Sequence, residues 1–277
     1  MIHRSPLPVA ATLHVLLLVL AADVAAAQPG HSPGELRPLG PEPHAYTTER
    51  GRFQIELSPL SWAYDRQRSG GENRRVDTFD APFFFKYGLT DHLDIQIGGE
   101  FFVFERDHNR ATGDTDRNSG FGDLSLRAKY NLWGNDGEGD TAMAVMPFAT
   151  FPTGSSDIRQ RGVRGGVMLP FEYEYANGRT IEFTPSFAGV RNSDDDGYVF
   201  EYANLLTLTF EVTDGVTPFI EFESSVTTES GDPWVGLVGG GIEFVVNDNM
   251  VVGPAIHFGV TRGADDVAVS LTLVVRF

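Results

Sequence analysis

The sequence predicts an all-β chain, a transmembrane antiparallel up-and-down β-barrel of about 12 strands behind a cleaved signal peptide. Three observations carry this. The last eleven residues alternate, with Val267, Val269, Leu271, Leu273, Val275 and Phe277 set against Ala268, Ser270, Thr272, Val274 and Arg276, and period two is the signature of a strand. Similar runs fill nearly all of the chain after Gly51. The connections between runs alternate short and longer, an asymmetry that barrels show between periplasmic turns and outer loops.

The closing strand sets the logic for the others. An apolar strand ending in an aromatic residue, left as a free edge in water, would template aggregation. A closed barrel pairs both edges, and it is the one arrangement in which strands cross a membrane. A terminal Phe on an alternating strand also resembles the insertion signal of bacterial outer-membrane barrels. That resemblance makes Leu271, Leu273, Val275 and Phe277 the candidate assembly signal, read by the barrel-assembly machinery. A soluble sandwich would alternate too, but with strands of about five or six residues. The runs here are mostly long enough for the ~9 to 11 residues that a tilted strand needs across the hydrocarbon.

Taken in order, residues 1–27 read as a signal peptide. His3 and Arg4 precede an apolar stretch, Val9 to Ala22, and Ala25-Ala26-Ala27 supplies the small residues of a cleavage site. Its unbroken core, Val15 to Ala22, is far shorter than the ~20 residues of a spanning helix. Residues 28–51 hold Pro29, Pro33, Pro38, Pro41 and Pro43 without any period. They form a periplasmic tail or plug ahead of a barrel over 52–277.

In that barrel Phe53, Ile55 and Leu57 share a face, and Pro59 shifts the phase to Leu60, Trp62 and Tyr64, as a bulge would. Phe79 to Tyr87, Leu93 to Val103 and Leu124 to Leu132 follow, then Ala142 to Phe151, whose phase the residues leave ambiguous. Val167 to Tyr175 and Ile181 to Phe187 flank Asn177-Gly178, the pair a type I′ hairpin favours. Tyr198–Val212, Val216–Thr227, Trp234–Val246 and Met250–Thr261 precede the last strand. Longer loops are expected at 67–74, 107–119, 153–162, 192–197, 228–233 and 262–266.

Composition narrows the function. A formal charge of −17 disfavours nucleic acid, whose binding needs phosphates neutralised by Lys and Arg. No Cys is present, so neither disulfides nor a lipid-anchor thiol enter. Together with the signal peptide this points to the outer membrane of a Gram-negative bacterium, with outer-membrane lipids and lipopolysaccharide as neighbours.

Three short stretches also carry a likeness. Tyr87-Gly88-Leu89-Thr90-Asp91 with Leu93-Asp94-Ile95, then Ser119-Gly120-Phe121-Gly122-Asp123-Leu124, then Phe151-Pro152-Thr153-Gly154-Ser155 resemble the outer-membrane transporter-like proteins catalogued under the meta-pathway of phenol degradation. The resemblance covers most of the mature chain. It implies a channel for passive uptake of small solutes, hydrophobic or aromatic compounds among them, and it offers no site residues to transfer.

Enzyme chemistry is not expected. His257 is the strand-borne histidine, its same-face neighbours Ala255 and Gly259 bear no hydroxyl, and no Gly-x-Ser-x-Gly elbow occurs. No zinc motif is present, so neither cofactor nor metal is expected. Gly239-Gly240-Gly241 reads as a bend or close approach in the wall. Asp194-Asp195-Asp196 reads as a solvated outer loop.

The lumen is the candidate site. If the apolar face meets lipid, the bore receives Lys86, Arg127, Lys129 and Arg106 on one side, and Glu172, Glu174, Glu182, Glu201, Glu221, Glu223 and Glu243 on the other. Opposed charged walls would set ion selectivity. Phe84, Phe102, Phe104 and Phe219 are expected to add an apolar component inside. A closed structural or adhesion barrel acting through its acidic loops is the alternative reading.

Overall fold

The structure is a computed structural model that describes residues 43–69, 72–137, 139–176 and 178–277. The signal peptide, the tail up to residue 42 and Asn177 of the expected hairpin turn lie outside these residues; Gly178 beside it has φ +69°. Fourteen strands follow one another: β1 (Phe53–Ser69), β2 (Glu72–Gly88), β3 (Leu93–Asn109), β4 (Thr115–Gly120), β5 (Leu124–Trp133), β6 (Thr141–Phe151), β7 (Arg164–Met168), β8 (Phe171–Ala176), β9 (Arg179–Arg191), β10 (Tyr198–Phe210), β11 (Val216–Thr227), β12 (Val235–Asn247), β13 (Met250–Gly259) and β14 (Val267–Arg276).

All ladders between these strands are antiparallel, and the sheet closes on itself. β14 pairs β1, with Leu273 opposite Leu57 and Val275 opposite Ile55, and Phe277 exchanges backbone hydrogen bonds with Phe53. β9 pairs β10 to complete the ring. β4 and β5 both pair with β3, one above the other, and β7 and β8 both lie between β6 and β9. The wall therefore has twelve positions, two of them occupied by a strand broken in the middle. In the second case the break falls at Leu169-Pro170, where proline has no N–H to give the ladder.

The faces follow the alternation. Leu60, Phe85, Ile97, Leu126, Ile220 and Phe258 are exposed on the outside, while Ser61, Lys86, Gln96, Arg127, Glu221 and His257 beside them are buried inside. A closed barrel with an outer band this apolar is stable only when lipid covers the band. Aromatic side chains mark its two margins: Phe53, Tyr87, Tyr130, Trp133, Tyr173 and Tyr175 at the end that carries Phe277, and Trp62, Phe79, Phe104, Phe200 and Trp234 toward the other. The β1 register slips between Leu57 and Leu60 on one side and between Leu57 and Ser61 on the other, the bulge expected at Pro59. β6 takes one definite phase, with Ala142, Ala144, Met146 and Phe148 turned inward.

Two expected loops are largely strand. β1, β2 and β3 each run for 17 residues, beyond the ~11 that cross the hydrocarbon, and β4 adds a fourth strand to this projecting wall. Outside the membrane no lipid enforces apolar alternation, so polar residues such as Gln67, Arg74 and Asp116 stay in the ladder without an apolar period to betray it.

The break between β4 and β5 is held by two of the motif stretches meeting. Ser155 N–H donates to the Phe121 carbonyl at 2.9 Å, Leu124 N–H to Thr153 Oγ1 at 2.9 Å, and Gly154 and Gln160 N–H both donate to the Asp123 carboxylate at 2.8 Å. Gly122 fits because a Cβ there would lie 1.8 Å from Glu100 Oε2. Gly122→Ala is expected to cost about 1–3 kcal/mol through overpacking, and because the new Cβ would also stand 2.7 Å from Glu100 Cβ, adding Glu100→Gly should recover more of it than adding Glu100→Ala; urea unfolding in lipid vesicles measures all three.

In the outer loop 192–197, Asp195 sits at φ +57° with its carboxylate taken by Arg191 at 2.9 Å and Arg161 at 3.2 Å. Chiefly the hydrogen bond from Arg191 holds that carboxyl below its usual range.

Candidate functional site: the lumen and its closing segment

The inner wall is strongly ionised. Glu56, Asp80, Asp94, Glu100, Glu172, Glu182, Glu201, Glu221, Glu223 and Glu243 are buried against it, as are Lys86, Arg127, Lys129, Arg164 and Arg276. Carboxylates thus outnumber cations two to one among these buried groups. Lys86, Arg127 and Lys129 stand on β2 and β5; the cluster Glu172, Glu182, Glu221, Glu223 and Glu243 runs from β8 to β12.

Strand pairing explains how like charges come together. Glu172 is the ladder partner of Glu182, and Thr207 lies between Glu182 and Glu221. Glu174, with the inward phase of Glu172, is only half-buried at the mouth. Two groups stand against the acidic wall: the Arg164 guanidinium pairs with Glu201, and His257 Nε2 bonds Glu221. Across the bore Lys86 pairs with Glu56, which also accepts from Gln54 at 3.0 Å.

Lys86→Met would leave Glu56 as a buried charge without its counter-ion, and about 3 kcal/mol of stability should go with it. The double variant Lys86→Met/Glu56→Met should lose much less. Unfolding in lipid vesicles distinguishes the two.

The apolar component differs from expectation. Phe84 is inside, under the Arg127 guanidinium at 4.1 Å from the ring centre, and Phe219 is inside over Gly241. Phe102 and Phe104 are not. In β3, Asp80 faces Val103 and Pro82 faces Glu100, so Phe101 and Phe102 together oppose Ala81. This bulge reverses the phase above it. Phe102 is 49% exposed, and Phe104 lies against Phe79 on the outer face. Arg106, two residues on, is likewise outside.

The inner apolar surface comes instead from Met146, Phe148, Met168 and Ala188, with Val190 against them. Arg164 stands 5.5 Å from the Phe148 ring centre. Gly165-Gly166 dilutes the alternation in front of Val167, which is why Arg164 falls outside the strand that the sequence predicts from Val167. Gly166 is required, because a Cβ there would meet the Phe187 carbonyl at 2.2 Å.

At the end that carries Phe277, residues 43–50 run against the inner wall. Lys129 Nζ donates to the carbonyls of His44 at 3.2 Å and Tyr46 at 2.6 Å. Asn131 donates to the Ala45 carbonyl at 3.0 Å, and Ala45 N–H to Glu172. Thr47 and Asn135 exchange bonds of 3.1 and 2.7 Å. Thr48 N–H donates to Asp94 at 2.8 Å, and Arg276 holds Glu49 at 2.8 Å. Lys129 and Glu172, expected to face the bore, are therefore occupied by backbone of this segment. Leu271, Leu273 and Val275 lie half-buried on the outer face of β14, and Phe277 beyond them is exposed.

The fold is shared with solved barrels. The chain superposes on the COG4313 outer membrane channel from Pseudomonas putida F1 with a TM-score of 0.67 and 14% identity, over 85% of this chain and 99% of that one. It is similar to the translocator domain of the autotransporter NalP from Neisseria meningitidis, with a TM-score of 0.52 and 10% identity over 83% and 90% of the two chains. The transport unit of AIDA-I from Escherichia coli gives 0.50 and 13% over 83% and 90%. No curated protein sequence matches. The family model described as "Putative MetA-pathway of phenol degradation" matches residues 44–277, the whole barrel together with its docked segment, and the chain belongs to that family.

Proposed function

We propose that this protein is an outer-membrane channel of a Gram-negative bacterium, passing small solutes, hydrophobic and aromatic compounds among them, down their gradients. The observation that carries the reading is the way residues 43–50 dock on the inner wall. Residues 43–50 belong to no strand, and they meet the inner wall through side-chain bonds to their backbone rather than through a continuous ladder. A barrel with a purely structural role is filled by its own wall side chains; one closed by a separable segment can open.

Membership of a family named for phenol degradation and the shared fold with an outer membrane channel support the same reading. The inner wall also suits it, since the Phe148 ring beside the Arg164 guanidinium pairs an apolar face with a cation, the combination that a flat aromatic solute favours. The outward row Leu271, Leu273, Val275 and Phe277 is where we place recognition by the assembly machinery. The acidic loop 192–197 does not favour an adhesive role, because Asp195 is committed to Arg161 and Arg191 and Asp196 accepts from Asn192 at 2.6 Å. Purified protein in planar bilayers should show discrete conductance steps, and vesicles containing it should take up phenol-sized aromatics faster than sugars of equal mass. A barrel that never conducts, with its segment present or removed, overturns the proposal.

A further inference from the structure

The outward face of the projecting wall of β1 to β4 carries a charge pattern opposite to that of the chain as a whole. Overall there are 38 acidic and 21 basic residues. On the outward face of this wall, Arg66 is the ladder partner of Arg75, and Arg106 is the ladder partner of Arg117. Four arginines share that face with one carboxylate, Asp77, which Arg75 holds at 3.1 Å and whose ladder partner is Arg106. His108, opposite Arg75, spends Nδ1 on Thr115 at 2.9 Å. Like charges placed directly across a ladder destabilise it. Among the described residues Arg66, Arg106 and Arg117 have no ion pair, and Arg106 and Arg117 are exposed.

Their height on the barrel says what meets them. Tyr64, Phe79 and Phe104 lie on the same face, and Trp62, Phe79 and Phe104 form a row with centroids 6.3 and 6.4 Å apart, marking the margin of the hydrocarbon. Arg66 and Arg106 follow Tyr64 and Phe104 by two residues, and Arg75 precedes Phe79 by four. At ~3.3 Å per residue on a strand tilted by ~40°, the guanidinium groups stand about 5 to 10 Å above that margin. This is the headgroup layer, which adds roughly 5 to 8 Å on each side of the hydrocarbon.

We infer that this arginine face is a binding site for the phosphorylated headgroup of lipopolysaccharide in the surrounding outer leaflet. Guanidinium groups bind phosphate through paired hydrogen bonds, and a phosphate lodged between Arg66 and Arg75, or between Arg106 and Arg117, turns each repulsive ladder pair into an attractive triad. The aromatic row beneath receives the first segments of the acyl chains. The site is independent of what passes through the lumen.

The test uses the full-length protein in mild detergent, titrated with purified lipopolysaccharide and with the same glycolipid after removal of its phosphates. Binding of the phosphorylated form should be at least roughly tenfold tighter, the scale of one charge-assisted hydrogen bond. The variant Arg66→Gln/Arg75→Gln/Arg106→Gln/Arg117→Gln should bind both forms equally weakly while keeping the heat-modifiable mobility of a folded barrel. Wild-type affinity that is indifferent to the phosphates overturns the site without recourse to any variant. So does a folded quadruple variant that binds like the wild type.

Discussion

Removing residues 29–48 is expected to convert a channel that is closed most of the time into one that is open most of the time, with the barrel unchanged. The magnitudes decide why. Each neutral hydrogen bond between the segment and the wall contributes about 1 kcal/mol and each one to a charged group about 2 kcal/mol. Fixing the backbone of one residue costs ~1–2 kcal/mol. Over residues 44–50 the two sums are of similar size, so docking is reversible rather than permanent. A smaller change makes the same point with the segment retained. Asn135→Ala removes both bonds to Thr47, about 2 kcal/mol, and the ratio of docked to released segment should fall by more than roughly tenfold. Single-channel recording reads both variants as open probability. Equal open probability in wild type, deletion and Asn135→Ala would reduce the segment to a linker that happens to rest on the wall.

Cation preference, and its partial loss in Glu221→Gln/Glu223→Gln, is the second large effect. The buried groups of the inner wall include twice as many carboxylates as cations, and i, i+2 spacing sends Glu221 and Glu223 to the same face. Fixed charges in a narrow bore are screened less than at a free surface, where the Debye length is ~8 Å at physiological salt, so the preference should persist at moderate ionic strength. In a tenfold KCl gradient the wild type should reverse on the cation side of zero, below the limit of about 59 mV for ideal selectivity. Replacing both residues by Gln keeps their shape and should move the reversal potential toward zero. It also frees His257 from its carboxylate, which adds to the shift whenever the ring is protonated. An anion-preferring wild type, or a reversal potential unmoved by the double replacement, would contradict the balance of charge on this wall.

The sequence by itself determined the barrel. Wherever a strand crosses lipid, one face must be apolar and the other can be polar, so Phe83, Phe85 and Tyr87 against Phe84 and Lys86, or Leu124, Leu126 and Ala128 against Arg127 and Lys129, could be assigned to their faces from period two alone. The bulge after Pro59 and the acidic wall from Glu172 to Glu243 were legible for the same reason. Tertiary structure decided whatever lies outside that rule. Above the membrane no solvent boundary separates the faces, and β1 to β4 continue through residues that read as loop. In β3 the extra residue at Phe101-Phe102 carries no Pro or Gly to announce it; only the pairing of Asp80 with Val103 and of Pro82 with Glu100 turns Phe102 and Phe104 out to the lipid side. Arg164 was hidden by its flanking glycines, which are there because the Phe187 backbone comes too close for a side chain at Gly166. The docking of residues 43–50 depends on Lys129, Asn131, Asn135, Asp94, Glu172 and Arg276, which converge from four strands and a turn. Such convergence is a property of the closed ring, since no local period brings groups so distant in the chain to one end of a bore.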